Sequence, residues 1–299
     1  MSRGRFQIDS TSLPFTPSAY GLLSPATTSL ELANAKWRMG LQWQSFCPAV
    51  AGTYGECAVP DEVPAPNPKG ETWEYITRGA TPVTIYSRAD CAPVGQWDEL
   101  PERNRQALIR SEERELERIF WTGGAEAGAG QTNVWPHLAA NAELVDGDDT
   151  LQIPATPVSD IAQEIAVGLG MLEAAMRRCY SGVATIHMPI RLAALAVDAH
   201  LIEPRNGVMY TTTVGSKVII GEYPGTGPDG TLPPAGQTWM YATGEVFYQR
   251  EPAPHTFRAV ESFDRDVNTL SMIAERTYVF GWDCCLFAVL ILNGEDTTP

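Results

Sequence analysis

Lysine is nearly missing from this sequence of 299 residues. Of its 21 basic residues only Lys36, Lys69 and Lys217 are lysine, and the remaining 18 are arginine. Arginine's planar fork makes bidentate pairs and is enriched at protein interfaces, where lysine is depleted. A GC-rich genome would produce the same bias through its codons, and composition alone does not choose between the two. Positive charge of any kind is scarce: against 36 acidic residues it leaves a net charge of −15. That excludes a protein that grips nucleic acid through a cationic face, because phosphate binding needs a surplus of Lys and Arg on one side of the molecule.

Long apolar runs are absent as well. None approaches the roughly 18 residues of a membrane span, and the opening Met1-Ser-Arg-Gly-Arg leads into polar sequence rather than a signal peptide. The chain is therefore expected to stay in the compartment where it is made, with no membrane partner. The six cysteines, at 47, 57, 91, 179, 284 and 285, show no CxxC spacing. Adjacent cysteines rarely bridge, and an apolar setting keeps thiols protonated. Buried free thiols in a reducing cytoplasm are the expectation.

Signatures of chemistry are missing too. The four histidines (137, 187, 200, 255) form no HExxH and pair with no cysteine at metal-ligand spacing, and His187, in an apolar strand, reads as a core residue. Asp146-Gly-Asp148-Asp149 lacks the alternating oxygens of a calcium loop, and no G-x-S-x-G elbow occurs. Gly225-Thr-Gly-Pro-Asp-Gly230 spells GxGxxG, but Thr231-Leu-Pro-Pro follows where a dinucleotide site needs a helix, so it reads as a turn. No catalytic residue, cofactor or metal is expected.

The most informative stretch runs from Thr156 to Pro224. Thr156-Pro157 reads as a helix start, and Val158, Ile161, Ile165, Leu169, Leu172 and Met176 then recur every three or four residues along one stripe. Arg177 and Arg178 close that helix against its negative end. Gly182 to Met188 follows as a short buried strand, Pro189 opens a second helix to about Ala199, and Tyr210 to Gly221 reads as strand, turn, strand. Upstream, residues 1 to about 27 carry scattered Pro, Ser and Thr with no sustained period and read as an extended arm, followed by a short helix over Thr27–Arg38. From Trp43 to Gly79 the chain is irregular and rich in Pro, Gly and aromatics. Thr81 to Ser87 alternates as a strand, and a long helix runs from near Asp98 to about Trp121, with Leu108, Ile109, Leu116, Ile119 and Phe120 on one side. Arg105 and Glu112 point into that apolar sector. Arg110, Arg114 and Arg118 sit three residues from Glu113, Glu117 and Glu115 respectively, which reads as a salt-bridged exposed face or an interface. Trp239–Tyr248 is a strand with a glycine bend, and the apolar Cys284–Ile291 suits a strand buried on both faces.

The order helix, strand, helix, hairpin, with a proline directly after the strand and a Gly/Pro-rich loop after the hairpin, resembles the axial domain of tailed-bacteriophage major capsid proteins. The helix tail Leu116-Glu-Arg-Ile-Phe-Trp-Thr-Gly-Gly124 resembles that of actinobacterial phage relatives, and Asn268 to Arg276 resembles a pattern in the family's closing strands. The resemblance implies an α+β capsid fold: an N-terminal arm and short helix (1–42), an extended loop (43–80), a peripheral domain with a long spine helix (81–155), an axial domain (156–238), and return strands completing the peripheral domain (239–299). It implies a structural, non-enzymatic shell protein that assembles with itself into hexamers and pentamers around double-stranded DNA, in a virion built in the bacterial cytoplasm. A container's inner wall works well when it repels the packed polymer, which suits the acidic balance. The implied partners are scaffolding protein, portal and a decoration protein, with scaffold supplied as a separate chain. The alternatives are an encapsulin shell of the same fold and a soluble enzyme. Interface residues implied are Lys69, Trp73 and Tyr75 on the extended loop, Arg105, Glu112 and Arg114 on the spine helix, and Pro224 and Gly227 in the axial loop. Lys69 is also the only lysine placed where one capsid relative forms a covalent cross-link.

Overall fold

The computed structural model describes residues 15–45, 76–92, 100–124, 134–139, 150–152, 160–207, 209–264 and 269–292. The chain enters with β1 (Thr28–Ser29), a single 3-10 turn over Ala35–Met39, then β2 (Leu41–Ser45), β3 (Ile76–Ala80) and β4 (Val83–Ala92). Helix α1 (Leu100–Thr122) is followed by β5 (Thr150–Gln152), α2 (Ile161–Cys179), β6 (Thr185–Pro189) and α3 (Ile190–Asp198). Strands β7 (Ile202–Arg205), β8 (Met209–Thr212), β9 (Lys217–Gly221), β10 (Gln237–Thr243), β11 (Val246–Arg250), β12 (His255–Asp264), β13 (Thr269–Trp282) and β14 (Leu286–Leu292) complete it.

A seven-stranded sheet runs β5-β14-β10-β6-β9-β8-β7. The alternation of its strands assigns each residue to one of two faces. Ile186, Met188, Val218, Ile220, Met240, Ala242, Val289 and Ile291 face α2 and α3. Ile219, Tyr241 and Ala288 face the other way, toward Phe120 and Trp121 of α1 and Trp282 of the second sheet. The second sheet has β13 as its axis: β4 pairs along Leu270–Tyr278, β12 along Thr269–Glu275 and β11 along Tyr278–Trp282. Helix α1, roughly 34 Å long at 1.5 Å per residue, reaches from this sheet to the first. Near its start Asn104 donates to the carbonyls of Ser87 and Met272, 3.0 Å each; near its end Phe120 packs 5.3 Å from the His187 ring.

Several expectations are corrected. The organising helix begins at Ile161 with Asp160 as its cap, its carboxylate accepting from the Ala162 amide at 3.0 Å; Thr156-Pro157, expected as its start, lies outside the described residues. The strand after it begins at Thr185, three residues past Gly182. The helix expected over Thr27–Arg38 is reduced to the 3-10 turn, because Thr28–Ser29 is captured as a parallel partner of β11 and Glu31 turns the backbone at φ 49°. The described part of the arm is not free: Leu22 and Ala26 are buried in this chain's own core against α1. Cys179 and Cys285 form a disulfide joining the end of α2 to the start of β14, in place of free thiols.

The stretch expected as return strands enters both sheets: β10 and β14 pair in the centre of the seven-stranded one, from Gln237↔Leu292 to Thr243↔Leu286. One step further along, β11 and β13 pair from Val246↔Trp282. The same two stretches thus cross from sheet to sheet together, and at the crossing a Cβ on Gly244 would lie 2.0 Å from the Asp283 carbonyl oxygen. That approach admits only glycine.

Gly244→Ala is therefore expected to cost about 2–3 kcal/mol by forcing the two backbones apart. Gly170→Ala, at an α2 position where a Cβ meets nothing within 4 Å, should instead stabilise by about 0.5–1 kcal/mol through helix propensity. Urea unfolding of the two variants beside the parent checks both signs.

Candidate functional site

The residues implied as interface fall in different settings. Lys69, Trp73 and Tyr75 lie outside the described residues. The strands that flank them do not: β2 and β3 pair antiparallel from Leu41↔Ala80 to Ser45↔Ile76, so the two ends of the long irregular stretch leave the body side by side. Trp43 anchors this pair, its ring 4.9 Å edge-on from Phe247.

On α1, the Arg105 guanidinium is bonded to the Glu102 carboxylate at 2.7 and 2.8 Å, one turn away. Glu112 is buried and is spent inside the chain, which removes it as a contact for a neighbour. It accepts from Arg276 of β13 at 3.0 and 3.3 Å, and Arg276 also donates to the carbonyls of Glu251 at 2.8 Å and Pro252 at 2.5 Å. Glu251 in turn pairs with Arg38 at 2.7 Å and accepts from the Thr277 amide at 3.1 Å. Helix, sheet and 3-10 turn are clamped by one ionic network. Arg114 is exposed and pairs with Glu222 at 2.9 Å, not with Glu117; Glu115 and Arg118 do pair, at 2.5 Å.

Glu113 and Glu117 were read as part of a salt-bridged outer face, and the structure turns them inward. Glu117 accepts from the amides of Leu22 at 3.4 Å and Glu222 at 2.9 Å, and Glu113 from the amide of Leu23 at 3.4 Å. Two carboxylates thus hold the entering segment and the residue after β9. Burial pushes the Glu117 carboxyl up to about 7, the amide donors opposing it and the neighbouring Glu113 adding to it. Helical periodicity could not reveal this, because the partners are backbone amides far away in sequence.

Pro224 and Gly227 begin the loop between β9 and β10. Gly227 is buried, and Thr226 is held by Trp121, whose indole donates to its carbonyl at 3.1 Å, and by the Tyr241 hydroxyl at 3.0 Å. The GxGxxG stretch is a turn: the Gly230 amide donates to the Gly227 carbonyl at 2.9 Å, and the Gly227 amide to the Thr231 carbonyl at 3.0 Å. The far tip carries Leu232, 74% exposed.

Catalytic or metal chemistry has little to work with among the described residues. No group of three or more His, Cys, Asp or Glu is placed to hold a metal. His187 is fully buried, bonded through Nε2 to the Thr243 hydroxyl at 2.9 Å, and burial lowers its pKa to about 3. No described helix is long and apolar enough to cross a membrane.

Known structures share this architecture. The chain matches the capsid of an empty GTA particle with a TM-score of 0.53 and 11% identity, over 96% of this chain and 94% of that one. It matches a structure of Mycobacterium phage Ogopogo with a TM-score of 0.51 and 14% identity, over 97% and 99%. The holo-SrpI encapsulin complex from Synechococcus elongatus matches over 76% and 80% at 10% identity, but its TM-score of 0.48 is too loose to bear on the choice of reading. No protein-family model and no curated protein matches the sequence.

Removing one partner of a buried ion pair leaves the other charge stranded, so Glu112→Ala is expected to lose about 3–5 kcal/mol. A double variant, Glu112→Leu with Arg276→Met, should recover much of that loss, as thermal melts of the two would show. Glu117 gives a pH effect of opposite sign to the usual carboxylate. Its folded pKa of about 7 lies above the ordinary 4.5, so the folded chain binds more protons in that window and stability falls as pH rises through it. Urea midpoints should drop between about pH 5 and pH 8 by an amount worth roughly 3 kcal/mol from this group, and Glu117→Gln should flatten the slope. The fold that carries these groups, matched over nearly the whole chain by the GTA capsid and the Mycobacterium phage Ogopogo structure, is the phage capsid fold.

Proposed function

We propose that this chain is the major shell subunit of a phage-type particle, tiling as hexamers and pentamers around double-stranded DNA. The observation that carries the reading is the match over 96% of the chain to the capsid of an empty GTA particle. The role is structural: the two glutamates whose pKa burial raises, Glu113 and Glu117, are engaged with backbone amides of the same chain. The net charge of −15 suits a wall that must not bind the polymer it encloses. Paired strands β2 and β3 form the base of the extended loop, which lies over the adjacent subunit in this reading. Residues 1–42, 43–80 and the two sheet-centred bodies then correspond to arm, loop, peripheral and axial domains, with strands β10 to β14 shared between the last two.

Assembly takes place in the bacterial cytoplasm with a separate scaffolding protein, a portal and a decoration protein as partners, and the finished shell is part of the virion. The Cys179–Cys285 bond then forms once the particle leaves that reducing compartment.

Expression of the chain in bacteria followed by size exclusion and negative-stain microscopy tests the reading. Capsomers or closed shells several hundred ångströms across are expected, with or without added scaffold. A chain that stays monomeric or stops at a dimer at every concentration would falsify it. Enzyme cargo sealed inside isolated particles, in place of DNA, would move it to the encapsulin class.

A further inference from the structure

The seven-stranded sheet carries two unmatched features at its opposite ends. At the end where β9 begins, α2 and the β8–β9 turn enclose a groove of about 470 Å³. Its floor is small: a Cβ at Gly170 or Gly215 would meet nothing within 4 Å. Its walls are apolar and open to solvent, with Val183 48% and Val214 65% exposed. Arg177 stands in the lining and makes no ion pair among the described residues; Glu173, one turn before it, is bonded instead to the Thr212 hydroxyl.

At the end where β9 finishes, the Pro224–Gly236 loop presents a knob. Leu232 is 74% exposed, and Asp229 is exposed beside it with no ion-pair partner among the described residues. The knob is shaped in advance. Asp229 accepts from the Thr231 amide at 3.0 Å and hydroxyl at 2.9 Å, the Gly227 amide closes onto the Thr231 carbonyl, and Pro233-Pro234 follow. A preformed tip loses little freedom on docking. The Thr231 bonds also lower the Asp229 pKa and so keep it anionic.

We propose that the Leu232–Asp229 tip of one copy seats in the α2 groove of the next, Leu232 between Val183 and Val214 and Asp229 against Arg177. The occupant is a second copy because the knob and the hole lie at opposite ends of β9. Its five residues span roughly 16 Å, so the loop cannot fold back into its own groove. Apolar surface is exposed on both parts, and the one cation of the groove lining meets an anion that has no ion-pair partner among the described residues. Glu173 in the lining repels Asp229 and biases it to the Arg177 side. Two different patches on each copy make a head-to-tail contact, the kind that closes into rings. The inference rests on the shell-subunit reading and names the contact that holds each ring.

A double-cysteine variant of the full chain, Leu232→Cys with Val214→Cys, tests it directly. Under mild oxidant it should give a ladder of covalent oligomers on a non-reducing gel, collapsed by thiol, while each single variant gives none beyond the native background. Charge exchange supplies an independent arm. Asp229→Arg or Arg177→Asp alone should raise the concentration for half-assembly at least about tenfold, equivalent to about 1.4 kcal/mol, and the pair together should restore it. All four positions are exposed, so melting temperatures should fall only slightly, by what the end of α2 loses with Arg177 and the loop with the Asp229–Thr231 bonds. Particles that form normally from the charge variants, with no ladder from the double-cysteine chain, overturn this contact and leave the shell reading standing. A parent chain that never assembles overturns both.

Discussion

Two stretches of chain that lie side by side through both sheets constrain the rest of the molecule. Residues 237–250 and 278–292 remain antiparallel partners on both sides of the crossing, first as β10 with β14 and then as β11 with β13. At the crossing the Asp283 amide donates to the Glu245 carbonyl at 2.9 Å, and Gly244 lets the backbones touch. Sheets tied in this way cannot rotate against each other without breaking ladder bonds on both sides. The two sheets are therefore held as one rigid body at this seam, and α1, packed on both, braces it from one face.

The ionic groups of α1 follow from that geometry. One face of α1 is wedged against two sheets and the entering segment, so carboxylates on that face must find partners within the chain. Glu112 finds a cation, Arg276, held by two further carbonyls. Glu113 and Glu117 find only amides. Amide dipoles offset part of what burial costs an ion, but less than a full opposite charge does. The contrast explains why one buried glutamate of the helix acts as a clamp while another sits close to neutral protonation.

Much of the fold was legible where a local pattern decides it. The stripe from Ile165 to Met176, the long helix ending at Trp121 and the twofold-buried β14 are set by periodicity that the sequence carries on its face. The proline that ends β6 and caps α3, and the hairpin of β8 and β9, were equally readable. What escaped was every feature set by a partner remote in sequence. Thr28–Ser29 looks helical until β11 captures it, and Trp239–Tyr248 looks like one bent strand until its halves join different sheets. The Cys179–Cys285 bond spans 106 residues and has no local signal. Among the residues expected at an interface, Arg114 sits on the surface, while Glu112 is inside, because an apolar helical sector containing one charge looks the same whether the facing cation belongs to this chain or another.

The acidic balance also limits how copies of this chain can meet. A net charge of −15 makes identical subunits repel at long range, yet at physiological ionic strength charges farther apart than about 8 Å are largely screened. Repulsion is then felt mainly where surfaces touch. A contact between such copies must bring together apolar groups and the few unengaged cations, and must keep carboxylates out of the middle. The described surface obeys this: most of its carboxylates near α1 are already bonded internally, while exposed Val183, Val214 and Leu232 lie at the ends of one sheet. Each contact of that kind is modest. A closed ring repeats it once per copy, so it is geometry, more than any single strong bond, that holds the ring together.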